Sequence, residues 1–362
     1  MTLPKPQPGI LDITPYKGGE GAVQGVAEVR KLSSNESALG PSPRAKAVFA
    51  AMAEGLHRYP DGSNADLRRA LGAQHGLDAD RIICSNGSDE MISLLCAAYV
   101  GQGDEVLYNR YGFAMYPIAT LVQGGTPVVA DETNYTVSVD ALLAKAGPRT
   151  KICFLANPNN PTGTYLPVEE VRRLRAGLPA HTLLVLDAAY AEFVTRNDYT
   201  PGAEMVGTHD NVVMLRTFSK IYGLAGLRVG WTYAPAGVVD VINRVRGPFN
   251  VNLVAQKVAV AALQDNAWTA AARAHNETWL PRVKGELESL GLTVIPSVAN
   301  FLLIRFPAAP KHAAAADAFL RSKGLVIRPV ASYGLPDFLR LTIGTEDENL
   351  RFLAAVREFL QS

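Results

Sequence analysis

The sequence predicts an α/β fold: a large domain built on a mostly parallel, seven-stranded sheet covered by helices, followed by a smaller α+β domain. Three observations lead there. Short, continuously apolar runs recur along the chain, and strands buried on both faces lose the polar alternation of half-exposed ones. Helical patterns separate these runs, supplying the crossovers that strands running in one direction require. Finally, 362 residues exceed what one core accommodates, and the last quarter changes to short strands among helices.

Residues 1–35 are rich in proline and glycine and hold no continuous apolar stretch. They are expected to form an irregular arm packed with the small domain, and not a signal peptide. The large domain is expected over 36–250. It opens with a helix at about 42 to 55, marked by proline near its start and glycine at its end. A turn at 58–63 (RYPDGS) leads into a short helix, ADLRRALGAQHG. Strands are predicted at 81–84, 105–108, 127–130, 151–155, 183–187, 212–215 and 229–233, with a helix over 167–178 among their connections. After 246–252 (RGPFNVN) a long alanine-rich helical run extends to about 290 and bridges to the small domain, placed at 251–362. There FLLIRF, GLVIRP and FLRLTI predict strands, and HAAAADAFLRSK and ENLRFLAAVREFLQ predict helices.

Thirty-five basic against 34 acidic residues leave no global field, which argues against nucleic acid or an anionic membrane as the main partner. No run approaches 18 apolar residues, the length a spanning helix needs. Cys84, Cys96 and Cys153 lack CxxC spacing and are expected as buried thiols in a reducing, cytoplasmic setting. The six histidines show no HxxxH or HExxH spacing, so no metal site is expected.

In a parallel sheet the ligand lies outside the carboxyl ends of the strands, and that rule sorts the motifs. RTFSKIYGLAGLR (216–228) follows the strand at 212–215. A lysine becomes a nucleophile in a desolvated, cation-rich setting, and hydroxyls with an arginine suit a phosphate. Lys220 among Thr217, Ser219 and Arg228 therefore describes a Schiff-base site for pyridoxal 5'-phosphate; a solvent-facing lysine in an ordinary turn is the alternative. Gly87-Ser88-Asp89-Glu90 lies between a strand and a helix, where free backbone N–H groups bind a phosphate or a side chain simply caps. Tyr111, after the strand at 105–108, can stack on a flat ring or be a half-buried loop tyrosine. The rigid turn Asn157-Pro158-Asn159-Asn160-Pro161-Thr162-Gly163 can aim the Asn157 amide at one ligand oxygen.

Asp187 ends the apolar run 183–186, and Tyr190 follows three residues later. A carboxylate at the mouth of an apolar strand is costly unless paired, and a protonated pyridine nitrogen is such a partner. Tyr190 can hydrogen-bond the same ring's phenolic oxygen; a helix-capping aspartate with a packing tyrosine is the alternative. Arg328 and Arg340 sit in strand-like runs, where arginine suits a bidentate anion, either a substrate group or an internal carboxylate.

Taken together, NESALG (35–40), RYPDG, GSDE, NPNNPTG, the Asp187/Tyr190 pair, the SK…R element and YGLPDFLRLTIGT (333–345) keep their order and spacing over nearly the whole chain. They resemble fold-type-I pyridoxal-phosphate aminotransferases, specifically the histidinol-phosphate aminotransferase family. The resemblance implies that Lys220 attaches the cofactor and shuttles the proton, while Asp187 pairs with its pyridine nitrogen. It puts Asn157 and Tyr190 on the phenolic oxygen and Tyr111 on the ring face. It gives the phosphate to Gly87, Ser88, Thr217, Ser219 and Arg228, with Tyr59 reaching in from a dimer mate, and counts Asp89 among the cofactor-binding residues. Arg340 would hold the amino donor's carboxylate, and Tyr16, Asn35 and Arg328 would line the substrate end. A homodimer is implied, exchanging amino groups between L-glutamate/2-oxoglutarate and histidinol phosphate. Aromatic amino acids (phenylalanine or tyrosine) are the alternative substrates, and threonine-phosphate decarboxylation comes third. Two segments depart from the family pattern: Ala188 replaces an acidic residue, and Ser37-Ala38-Leu39 stands where a Pro-Tyr pair is usual.

Overall fold

The computed structural model describes residues 4–16, 18–26, 28–306 and 309–362. All seven predicted strands form: β1 (Ile82–Ser85), β2 (Glu105–Asn109), β3 (Thr126–Ala130), β4 (Thr150–Ala156), β5 (Leu183–Asp187), β6 (Val212–Thr217) and β7 (Gly230–Tyr233). They build one sheet in the order β1-β7-β6-β5-β4-β2-β3. Only β7 runs antiparallel to its neighbours. Alternate residues of each strand feed cores on opposite faces. Leu184 and Leu186 enter one with Met214 and Trp231, whereas Val185 enters the other with Phe154 and Val213. Burial on both faces is why these runs read as uninterrupted apolar sequence.

Four further strands, β8 (Thr293–Ile295), β9 (Phe301–Arg305), β10 (Arg328–Pro329) and β11 (Phe338–Thr342), form an antiparallel sheet in the order β8-β9-β11-β10. The predicted helices Ala313–Ser322 and Glu346–Gln361 accompany it, the second opened by a capping box between Thr345 and Glu348. The arm docks here: Arg30–Lys31 pairs in parallel with Leu325–Val326, and Leu32 enters the small-domain core beside Leu302 and Phe352.

Two expectations are corrected. The alanine-rich run is two helices, Leu253–Leu263 and Asn266–Ser289, with Asp265 capping the second by accepting from the Trp268 N–H at 3.3 Å. Alanine favours helix throughout, so only the single cap residue marks the break. The domain boundary also moves. Helix Leu253–Leu263 packs on helices Pro43–Ala50 and Ala65–His75 and buries Ala255, Val258 and Leu263 in the large-domain core. The change of core falls inside Asn266–Ser289, between Ala272 and Trp279, and not at 250/251. Among the described residues no helix is long and apolar enough to cross a membrane, and all three cysteines are buried and unbridged.

Candidate active site

The carboxyl ends of β4, β5 and β6 open into a cleft of about 250 Å³, closed on its other sides by the arm and the small domain. Asp187 is the last residue of β5, carried into the protein by the apolar strand before it. Its Oδ2 accepts from the Tyr116 hydroxyl at 2.8 Å, while Oδ1, also buried away from solvent, has no partner among the described residues. Burial pushes this carboxyl above the usual range, with the Tyr116 hydroxyl and the Ala189 N–H opposing. A buried acceptor lining a cleft and left without a donor fits a ligand that brings its own N–H.

Lys220 lies in the turn that leaves β6, and its Nζ donates to the Ser34 carbonyl at 3.1 Å. Burial first, and then the nearby Arg340, pull its ammonium down to about 8. Roughly a tenth of the amine is then free at neutral pH, far more than an exposed lysine offers. The same ammonium lies 5.5 Å from the centre of the Tyr190 ring.

At one end of the cleft helix Ser88–Tyr99 begins, turning its first N–H groups towards the opening. Gly87 precedes it at φ 82°, and a Cβ there would run into the Arg228 guanidinium. Arg228 donates to the Ser219 hydroxyl at 3.3 Å and pairs with Asp89, while the Thr217 hydroxyl accepts the Ser219 N–H at 3.1 Å. Hydroxyls, helix N–H groups and a guanidinium converge there on a space that suits a phosphate.

Cation also lines the other end. Arg340 on β11 is buried, donating to the Ser33 carbonyl at 2.7 Å and to the Asn160 side chain. Directly across the strand pair sits Arg328, which donates to the Gly18 carbonyl at 2.7 Å. The Tyr190 hydroxyl accepts from Asn35 Nδ2 at 2.9 Å, and Tyr16 sets its ring edge on Phe113 at 6.2 Å.

Twelve of the sixteen residues singled out in the sequence line this one cleft: Tyr16, Asn35, Ser88, Asp89, Asp187, Tyr190, Thr217, Ser219, Lys220, Arg228, Arg328 and Arg340. Gly87 backs the end of the cleft that Arg228 and Asp89 line. Three others lie elsewhere. Tyr111 is the half-buried loop tyrosine of the alternative reading: its N–H is held by Glu132 at 3.1 Å and its ring packs on Tyr135, so Phe113 faces the cleft instead. Asn157 uses its amide at both ends on the Leu166 backbone, at 2.8 and 3.0 Å, and Asn160 of the same turn reaches the opening. Tyr59 is 82% exposed, stacks on Phe249 at 4.7 Å, and lies outside its own chain's cleft.

Sequence reasoning missed Phe113, Tyr116, Asn160 and Ser34. Asn160 stood within the turn already recognised, and Phe113 within the same loop as Tyr111. Nothing local pointed to Tyr116, which meets Asp187 from 71 residues away.

The family described as aminotransferase class I and II matches residues 27–356. A histidinol-phosphate aminotransferase of Paramagnetospirillum magneticum is 59% identical over 361 residues, covering 99% of both chains. One of Rhodopseudomonas palustris is 54% identical over 362 residues, again covering 99% of both. Among solved structures, a histidinol-phosphate aminotransferase of Sinorhizobium meliloti in complex with pyridoxal 5'-phosphate superposes with a TM-score of 0.91 at 28% identity, covering 99% of this chain and 98% of that one. With a lysine, a buried carboxylate and two cationic ends assembled at the mouth of this sheet, and with such likeness along its whole length, the chain belongs to the histidinol-phosphate aminotransferase family of class I and II aminotransferases.

Proposed function

We propose that this chain is a pyridoxal-phosphate-dependent histidinol-phosphate aminotransferase, taking an amino group from L-glutamate and passing it to imidazole-acetol phosphate in the direction of histidine biosynthesis. One observation carries the reading: the depressed amine of Lys220 and the partnerless oxygen of Asp187 line a single cleft with cationic groups at both ends. When bound, the cofactor supplies an aldehyde that bonds to amines and a ring that accepts the electron pair released at the substrate carbon.

The chain's residues then have distinct tasks. Ser88, Thr217, Ser219 and Arg228 hold the phosphate, with Gly87 leaving room for the approach. Asp187, through its partnerless Oδ1, would hold a proton on the pyridine nitrogen. Tyr190 and Asn160 would hold the phenolic oxygen, and Phe113, which lines the same cleft, would pack on the ring. Lys220 Nζ removes the proton from the substrate carbon and returns it on the far side of the transfer, a task its lowered basicity suits. Glutamate brings carboxylates and histidinol phosphate brings a phosphate, and Arg328 and Arg340, side by side on β10 and β11, can bind either anion. Tyr59 completes the phosphate site of a second subunit in a homodimer. Buried, unbridged cysteines suit a cytoplasmic enzyme.

The test is a set of half-reactions of the cofactor-loaded enzyme with histidinol phosphate, phenylalanine and tyrosine, compared by kcat/KM. Histidinol phosphate is expected to lead by at least about tenfold, the worth of one charge-assisted contact. If an aromatic amino acid leads, the aromatic aminotransferase reading takes its place.

A further inference from the structure

We infer that Tyr116 is a positioning residue for the transfer, its hydroxyl holding one oxygen of Asp187 so that the other is presented, ionised, to the cofactor's ring nitrogen. The inference rests on the cofactor reading above and adds to it a residue that touches neither cofactor nor substrate.

The geometry is specific. Tyr116 sits in the first turn of helix Met115–Val122, fully buried, and donates to Asp187 Oδ2 at 2.8 Å. Its ring lies flat on Phe154, with centroids 4.5 Å apart and planes 2° from parallel, and Phe113 closes on it edge-first at 6.0 Å. Phe154 belongs to β4, the strand beside β5, so the phenol and the carboxylate are fixed to neighbouring strands of one rigid sheet. The ring cannot turn away without opening the core on that face. The direction of donation is equally fixed. Burial and the facing carboxylate push the Tyr116 phenol well above its ordinary value, so it keeps its proton wherever the enzyme works.

The consequence concerns where one proton sits. A short bond from a neutral donor makes the carboxylate a weaker base, so the shared proton stays on the ring nitrogen and not on Asp187 Oδ1. Burial alone would favour the opposite. Remove the hydroxyl, and Oδ2 loses its side-chain donor, so that neither carboxylate oxygen keeps one; Asp187 then takes the proton and the ring loses its charge. The other titratable groups facing Asp187 are Lys220 beyond β6, Asp89 at the start of helix Ser88–Tyr99, Tyr190, and Tyr199, whose hydroxyl donates to the Asn157 carbonyl; Tyr190 and Tyr333 also face Tyr116. None of them donates a hydrogen bond to Asp187 among the described residues.

Tyr116→Phe removes the hydroxyl and keeps the stacked ring. Equilibrium binding of pyridoxamine 5'-phosphate to the cofactor-free protein, followed by fluorescence across pH, gives a readout independent of turnover. In Tyr116→Phe the affinity is expected to fall about tenfold, and its loss on acidification to begin about one pH unit higher than in the wild type. In an Asp187→Asn background the same change should cost nothing further, because the acceptor it serves is gone. An unchanged affinity and pH profile in Tyr116→Phe overturns the inference and leaves the cofactor reading standing. So does an equal loss in the Asp187→Asn background, which would mean that Tyr116 acts through packing alone. A wild-type protein that binds no pyridoxamine 5'-phosphate overturns both.

Discussion

Lys220 shows what burial does to a single amine. Its ammonium is held near 8 against an ordinary 10.5, so between those values the unfolded chain binds more protons than the folded one. Stability of the cofactor-free protein therefore rises with pH across that window, by at most about 1.4 kcal/mol per pH unit from this group. Lys220→Met should flatten the rise, read from urea denaturation of both proteins between about pH 8 and pH 10. It should also abolish covalent attachment of the cofactor, and a reducible adduct on another lysine would sink the assignment. Arg340 is a second residue-scale case. Its planar fork already meets Ser33 and Asn160 while its Nε has no partner among the described residues, so a point charge is a poor substitute. Arg340→Lys is expected to raise the KM for glutamate about tenfold or more with a smaller change in kcat; steady-state kinetics with an unchanged KM would take Arg340 out of the carboxylate site.

At the scale of elements, the site depends on how strands deliver helices and turns. β7 passes so close to the start of helix Ser88–Tyr99 that a Cβ on Gly230 would stand 2.6 Å from the Ser88 nitrogen and 2.8 Å from the Gly87 carbonyl carbon. Both are backbone atoms at the helix start proposed to hold the phosphate, so neither can move aside without moving that end of the cleft. Gly230→Ala should cost about 1–3 kcal/mol of stability and weaken the hold on pyridoxal 5'-phosphate as well. Thermal melts and cofactor dissociation measured together check this; a variant that melts lower yet binds normally would separate the strand's packing from the phosphate site. The loop after β2 makes the same point. Glu132 accepts from both the Asn109 side chain at 2.5 Å and the Tyr111 N–H, and with that anchor in place Phe113 faces the cleft.

Across the whole molecule the cleft is a meeting of three parts: Lys220 and Asp187 from the large domain, Arg340 from the small one, and Asn35 where the arm ends. The arm's end is pinned, since the Asn35 N–H donates to the Thr342 hydroxyl at 2.9 Å on β11. Phe49, Leu56, Tyr59 and Phe249 are among the largest apolar side chains left exposed, at 45–82%. Surface of that kind suits an interface, and it carries Tyr59, the tyrosine proposed above to serve a partner's cleft. Sedimentation should show a dimer, and Leu56→Glu should weaken both the association and the affinity for pyridoxal 5'-phosphate. A monomeric wild-type protein with full cofactor affinity would exclude the shared site.

Lys220, Asp187, Thr217 and Ser219 were legible because each sits at or just beyond the end of an apolar strand, where the direction of a parallel sheet already says which way the ligand lies. The seven strands were legible for the same reason that they are buried on both faces. Chain geometry decided the rest. Asn157 and Asn160 share one turn, and only the folded backbone shows that the first is tied to Leu166 while the second meets the cleft. Tyr111 and Phe113 differ by two residues, and the loop's anchor to Glu132 accompanies the choice of the second. Tyr116 left no trace in its own neighbourhood, because a hydrogen bond across 71 residues exists only once two strands and a helix have packed. Local sequence determined what each segment is; which side chains meet is a property of the assembled sheet, since contact between distant residues has no periodicity to read.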